Sequence, residues 1–505
     1  MTVQKTSAAL YDEYKDRMQK IADVRNAASV LGWDQETYLP EKGAGFRGQQ
    51  LTTLSTIAHE LSTSPALGDL LRELKERTDL DDIQRKNVQL SAEDFEKQRK
   101  YPASFVAELS TATNAAYHAW IKSRKEKDFS VFEPQLAKMV ELKKQETQIL
   151  GFSGHPYDAL LDEYEKGADV SMLDAIFRDV RQSLLPMLQQ IALQTPPDKK
   201  FLNRLYPKDQ QWQFGIDILK AMGYDFGAGR QDVSEHPFTT SFNPQDVRVT
   251  TRIDEQDLGN MTWSCIHEGG HALYEQGLPL EQYGLPCGEA ASLGIHESQS
   301  RLWENNVGRS LIFWQKHYGH LQGLFRANLQ AVPIMDFYKA INLVQPSLIR
   351  TEADELTYHF HVMIRYEIEK GLIGGELQTK DLRDIWNKYY LDYLDVKVPD
   401  DMQGVLQDIH WSHGSFGYFP TYSLGSFYAA QFHAAARKQI TGLDSAIADG
   451  RYDGLLRWLR DNIHRHGRYY TSNELCEKVT GEKLNFKHFM AYAQEKYGKI
   501  YNLGA

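Results

Sequence analysis

The stretch Trp263-Ser264-Cys265-Ile266-His267-Glu268-Gly269-Gly270-His271-Ala272-Leu273-Tyr274 decides how this chain is read. Its apolar residues recur at helical spacing, and Gly277 followed by Pro279 supplies a stop, so the pattern predicts a helix. Positions i and i+4 of a helix share a face. His267 and His271 can therefore reach one metal ion while Glu268 leans over the same point. Zinc takes neutral imidazole well, and a hydrolytic site needs three protein ligands and one open position. Cys265 stands two residues before His267, a spacing that does not share that face, and reads as a small buried apolar residue.

Downstream, Gly294-Ile295-His296-Glu297-Ser298-Gln299-Ser300-Arg301 offers the third ligand. Glu297 is preferred to His296, because two histidines and one glutamate leave the coordination open and a glutamate reaches an ion held by a neighbouring helix. The competing reading is a helix-surface glutamate braced by Arg301 four residues on. Glu268 fits a general base: a metal acidifies water, and a carboxylate beside it can take the proton and pass it to a departing amine.

The 505 residues are 42% hydrophobic and 25% charged, ordinary for a soluble protein. A net charge of −11 argues against nucleic-acid binding, which gathers Lys and Arg. No apolar run approaches the roughly 18 residues of a membrane span. The first twenty residues mix both charges without an apolar block, so a cytoplasmic protein is expected. Cys265, Cys287 and Cys476 form neither a disulfide framework nor a C-x-x-C pair.

Most of the chain has helical periodicity, with one stripe at Leu10, Tyr14, Met18 and Ile21 and another at Leu136, Met139, Val140 and Thr147. The expected fold is mainly α, a large multi-helix lobed body. A small β-hairpin is expected over Thr239–Ile253, just before the metal helix, where Asn243-Pro244 turns the chain and residues 246–252 alternate. Such a strand can receive an extended peptide. A polar break at 194–200 is soft, so the chain is read as a single domain, 1–505, with its catalytic core at about 236–430 and substrate in a cleft between lobes. In residues 349–358, helical spacing would line up Arg350, Asp354 and Tyr358, an expensive face to bury without partners. Residues 404–422, rich in glycine, aromatics and histidine, suit a loop closing over a cleft.

Beyond these two histidine motifs, the ordered stretches Leu31–Thr37, His155–Asp158, Asp246–Arg248, Ile349–Asp354, Gly404–Trp411 and Asn462–Gly467 make the whole chain resemble the carboxypeptidase Taq family of zinc metallocarboxypeptidases. The resemblance implies an almost wholly helical homodimer with a long, deep groove. It implies removal of single residues from peptide C-termini with broad tolerance and poor action on C-terminal proline. It also implies His267, His271 and Glu297 as ligands of one Zn²⁺ per chain, for which Co²⁺ can substitute, with Glu268 as base. By similarity to the wider group of helical zinc peptidases, His413 and Tyr422, with Tyr418 as the alternate tyrosine, donate to the oxyanion. A carboxypeptidase must also bind a free carboxylate, which suits an arginine fork: Arg350 first, Arg248 second. His236 is a candidate contact to substrate backbone. The rival readings are a zinc endopeptidase or dipeptidyl carboxypeptidase, and a non-catalytic helical peptide-binding protein with structural zinc.

Overall fold

The computed structural model describes residues 5–503, and helices dominate it. Ser7–Thr37, begun by the Thr6 side chain accepting from the Ala9 amide, is the first and longest, and it packs against Ala44–Ser62 as a hairpin. Leu10, Tyr14 and Ile21 of the predicted stripe are buried in a small N-terminal core with Leu67, Leu71, Leu74 and Phe95, and Met18 packs against it. The second stripe, Leu136, Met139, Val140 and Thr147, is wholly buried in the main body. The polar break near 194–200 is an irregular segment after the helix Val170–Ala192, yet one apolar cluster continues across it from Leu184 and Ile191 to Phe201 and Tyr206. No helix among the described residues is long and apolar enough to cross a membrane.

The expected hairpin is present as β2 (Thr239–Asn243) and β3 (Asp246–Thr251), antiparallel, with Asn243 Oδ1 accepting from the Gln245 amide in the turn. A further strand, β1 (Gly229–Val233), pairs parallel to β3, giving the order β1-β3-β2. Gly229 is required there: a Cβ would lie 1.9 Å from the Val247 carbonyl. The β2 strand lies at one edge of the sheet, where Asn26 of the first helix donates to the Phe242 carbonyl at 2.6 Å.

The metal-motif helix runs Leu258–Glu275, begun by Asp257 accepting from the Gly259 amide and ended just before Gly277. Its back lies on β3 and on the helix Lys208–Met222. Cys265 is buried in that contact, as expected, and leaves no room for a side chain at Gly215. One expected element is corrected. Arg350–Glu352 is an isolated 3₁₀ turn, and the helix starts only at Tyr358. Asp354 turns the chain by accepting from the Leu356 and Thr357 amides at 2.9 and 3.0 Å, so residues 350, 354 and 358 do not line one helical face.

Candidate active site

Close helix packing brings the third candidate ligand to the first two. The helix Leu293–Arg301, begun by Ser292 accepting from the Ile295 amide, lies between the motif helix and Pro420–Gln439. At Gly270 a Cβ would stand 2.7 Å from Ser300 Cα and 2.8 Å from the Gln299 carbonyl, and at Gly425 one would stand 2.5 Å from Glu297 Cγ. The glycines let backbones touch from both sides, and Glu297 is pressed toward the histidines. Gly270→Ala is expected to cost about 1–3 kcal/mol by overpacking and to weaken metal binding, because Ser300 Cα cannot yield without moving Glu297. Thermal melts and a chelator titration check this; an unchanged metal affinity would contradict it.

His267, His271 and Glu297 are the one group among the described residues with three metal-type donors, all within 4.8 Å of one another. Glu297 Oε2 lies 3.6 Å from His267 Nε2 and 3.4 Å from His271 Nε2. Donors around a tetrahedral zinc with bonds of about 2.0–2.1 Å are separated by roughly 3.3–3.4 Å. These residues therefore fit the ion by distance as well as by chemistry. Each imidazole is also turned for the task. His271 Nδ1 faces the His296 carbonyl at 3.0 Å, which only accepts, so Nδ1 carries the proton and Nε2 presents its lone pair. His267 Nδ1 faces Glu304 Oε2 at 2.9 Å, the carboxylate support common behind metal-ligating histidines. Glu304 lies in a π-helical segment, Leu302–Gly308.

Burial pushes the His271 ring down to about 3, so it is neutral at neutral pH. Burial opposes charge on Glu297, yet Arg301 and the two imidazoles hold its carboxyl well below the usual carboxylate range. Glu268 differs: it is buried, and desolvation raises its carboxyl, partly offset by His267 and a hydrogen bond from Thr239. That bond, Thr239 Oγ1 to Glu268 Oε2 at 2.7 Å, ties the carboxylate to the edge strand β2. His296, the competing ligand, points elsewhere, its Nε2 facing Glu275 at 2.8 Å and its ring stacked on His271.

The segment 404–422 brings two tyrosines together and sets its two histidines differently. His413 ends the 3₁₀ turn His410–His413, is exposed, and lies against Tyr117 with ring centroids 5.7 Å apart. The half-buried ring beside Tyr422 is His410, its Nε2 3.2 Å from the Tyr422 hydroxyl and its ring centroid 5.3 Å from that of Tyr418. The ring centroids of Tyr418 and Tyr422 are themselves 5.2 Å apart. The segment is anchored rather than loose: buried Glu369 accepts from Trp411 Nε1 and the Gly417 amide, both at 2.8 Å.

Neither arginine is a free fork. Arg350 keeps only 7% of its side chain exposed and binds Asp408 through Nε and Nη2, both at 3.0 Å, while Nη1 donates to the Tyr358 hydroxyl at 3.2 Å. Arg365 holds the other oxygen of Asp408. The Arg350 guanidinium also covers the Tyr422 ring at 4.8 Å. Arg248, 18% exposed, is paired with the more open Asp246 and lies between Trp33 at 4.4 Å and Phe242 at 5.0 Å. Register sets it beside Thr240 and Arg230, on the sheet face opposite Thr239. His236 is exposed between β1 and β2.

A cavity of about 1390 Å³ opens beside this cluster, bordered by His296 and Tyr164 and extending to Asp94, Gly154 and Arg468. Tyr164 meets Tyr418 edge to face, 5.2 Å between ring centroids, which joins the cavity wall to the tyrosine pair.

The sequence profile of the carboxypeptidase Taq (M32) metallopeptidases matches residues 13–497. Thermostable carboxypeptidase 1 of Thermus thermophilus is 39% identical over 510 residues, covering 98% of this chain and all of that one. The crystal structure of the M32 carboxypeptidase from Deinococcus radiodurans R1 superposes with a TM-score of 0.96 at 38% identity, over 98% of this chain and 100% of the other. The solved structure of a protein called CHT gives the same TM-score and coverage at 69% identity. The chain belongs to the carboxypeptidase Taq (M32) family of metallopeptidases and is a metallocarboxypeptidase, an enzyme that hydrolyses peptides.

Proposed function

We propose that the enzyme holds one divalent ion, zinc, through His267, His271 and Glu297 and removes single residues from peptide C-termini with Glu268 as general base. The observation that carries this reading is the convergence of three donors within 4.8 Å, with Nδ1 of both imidazoles already engaged elsewhere. A divalent ion bound there supplies Lewis acidity toward a peptide carbonyl and acidifies water. Structural zinc sites are usually closed by four protein ligands, and three converge here among the described residues. Cobalt is proposed to substitute for zinc.

Glu268 takes the proton from the attacking water and delivers it to the departing amine. Thr239 steadies one of its oxygens from β2, and the peptide is proposed to run along that strand. Tyr422 and Tyr418 are the proposed donors to the oxyanion, with His410 in the place expected of His413; such a donor is typically worth about 2.7–4 kcal/mol. Mass spectrometry of a mixed peptide pool tests the reaction: ladders of single C-terminal losses are expected, with internal cuts or two-residue steps contradicting it. Poor trimming at C-terminal proline is expected in the same spectra.

For the terminal carboxylate we propose an arginine fork, Arg350 first because it lies 4.8 Å from the Tyr422 ring beside the proposed oxyanion donors, and Arg248, on the sheet face opposite Thr239, second. His236, exposed near the same sheet, is proposed as a contact to peptide backbone. Arg350→Ala is expected to lose roughly 1.5–3 kcal/mol of a charged hydrogen-bonded pair, about ten- to hundredfold in kcat/KM, on free peptides. Amidated peptides should be affected little, so the free-to-amidated ratio falls. An unchanged ratio in the folded variant would move the clamp to Arg248 or elsewhere. A cytoplasmic homodimer is proposed from family resemblance, and light scattering at twice 58.0 kDa tests the dimer.

A further inference from the structure

We infer that Arg301 sets how many oxygens Glu297 can offer a metal ion, an inference that rests on Glu297 being a ligand. Arg301 Nε donates to Glu297 Oε1 at 2.7 Å. The opposite oxygen, Oε2, is the one facing the imidazoles at 3.4 and 3.6 Å, and it accepts from Ser300 Oγ at 3.0 Å. The pairing of Glu297 with Arg301 four residues on, which alone would mark a braced helix surface, is thus the very contact that divides the carboxylate between brace and ion.

The guanidinium is fixed in that role. Its Nη1 lies 3.3 Å from Glu304 Oε2, the same oxygen that supports His267 Nδ1, and its plane covers the Tyr358 ring at 4.7 Å. One side chain therefore touches one ligand, Glu297, and the support of a second, His267. A guanidinium fork is rigid and always charged, so it holds a carboxylate oxygen in a way a flexible ammonium does not. A carboxylate with both oxygens free can chelate an ion through two bonds, and one tied at Oε1 offers a single bond. Arg301 is in this sense a positioning residue: it keeps one coordination position free of protein, as hydrolysis requires.

The consequence is unusual for a buried ion pair, since breaking it should change the coordination of the ion rather than expel it. Cobalt(II) alone is the probe, because its visible bands weaken as coordination number rises from four. The full-length protein is loaded with one equivalent after chelator treatment. Arg301→Met is expected to retain one cobalt per chain with weakened, broadened bands. Arg301→Lys should fall between it and the unaltered protein, because an ammonium meets the oxygen only as a point charge.

A folded Arg301→Met protein that keeps the original spectrum overturns the inference. One that loses cobalt altogether also overturns it, since Arg301 would then be a brace for the site and nothing more. If the methionine variant does not fold, the lysine variant decides, and an unchanged spectrum there has the same meaning. Failure of the ligand assignment looks different: His271→Ala would then leave the cobalt spectrum of the otherwise unaltered protein in place.

Discussion

Replacing Glu268 with glutamine is expected to leave bound metal at one ion per chain and to lower kcat by roughly 10²–10⁴-fold, the usual worth of a positioned acid–base group. Glutamine keeps the shape of the side chain. The Thr239 hydroxyl, which donates to Oε2 at 2.7 Å, still finds an amide oxygen to meet. Glu268 is also outside the ligand trio, so the donors of His267, His271 and Glu297 stay where they are. The loss should fall on kcat more than on KM, because the proton is transferred only in the reaction itself. Single-turnover kinetics with metal analysis of the same sample checks both halves; hydrolysis at the original rate would remove Glu268 from the chemistry.

His271→Ala is expected to act in the opposite way, abolishing tight metal binding and activity together. Losing an outer support of a metal-binding histidine typically costs about 10–100-fold in affinity, and losing one of the three proposed ligands should cost more. It also opens a hole between the motif helix and the His296 ring, which stacks on His271 with centroids 4.4 Å apart, so a lower melting temperature is expected even without metal. Competition with a chromophoric chelator reads the affinity. Full metal content with normal turnover would show that the ion is held elsewhere.

Much of this site is legible in the sequence because its signals are local. A four-residue spacing on a helix sets His267 and His271 side by side, and alternation over 246–252 gives the β2–β3 hairpin. What was not legible depends on partners far along the chain. The strand β1, Gly-Arg-Gln-Asp-Val, has no apolar alternation and is a strand because β3 pairs with it. Residues 350–358 carry helical spacing, but Asp354 spends its carboxylate on nearby amides and turns the chain. The ion pair of Arg350 is hidden in the sequence because Asp408, its partner, lies 58 residues on. His410 and His413 are three residues apart in one motif, and only packing against Tyr418, Phe419 and Tyr422 distinguishes the inward ring from the exposed one. Glu304 gave no sign at all, since its meaning comes from facing His267 across 37 residues.

The claim that one ion sits among His267, His271 and Glu297 is tested most directly by anomalous diffraction at the zinc absorption edge from crystals of the zinc-loaded enzyme. One peak per chain is expected, bounded by His267 Nε2, His271 Nε2 and a Glu297 oxygen, with no fourth protein ligand. A peak at another cluster, or one closed by a fourth side chain, would contradict the assignment of this cluster as an open catalytic centre.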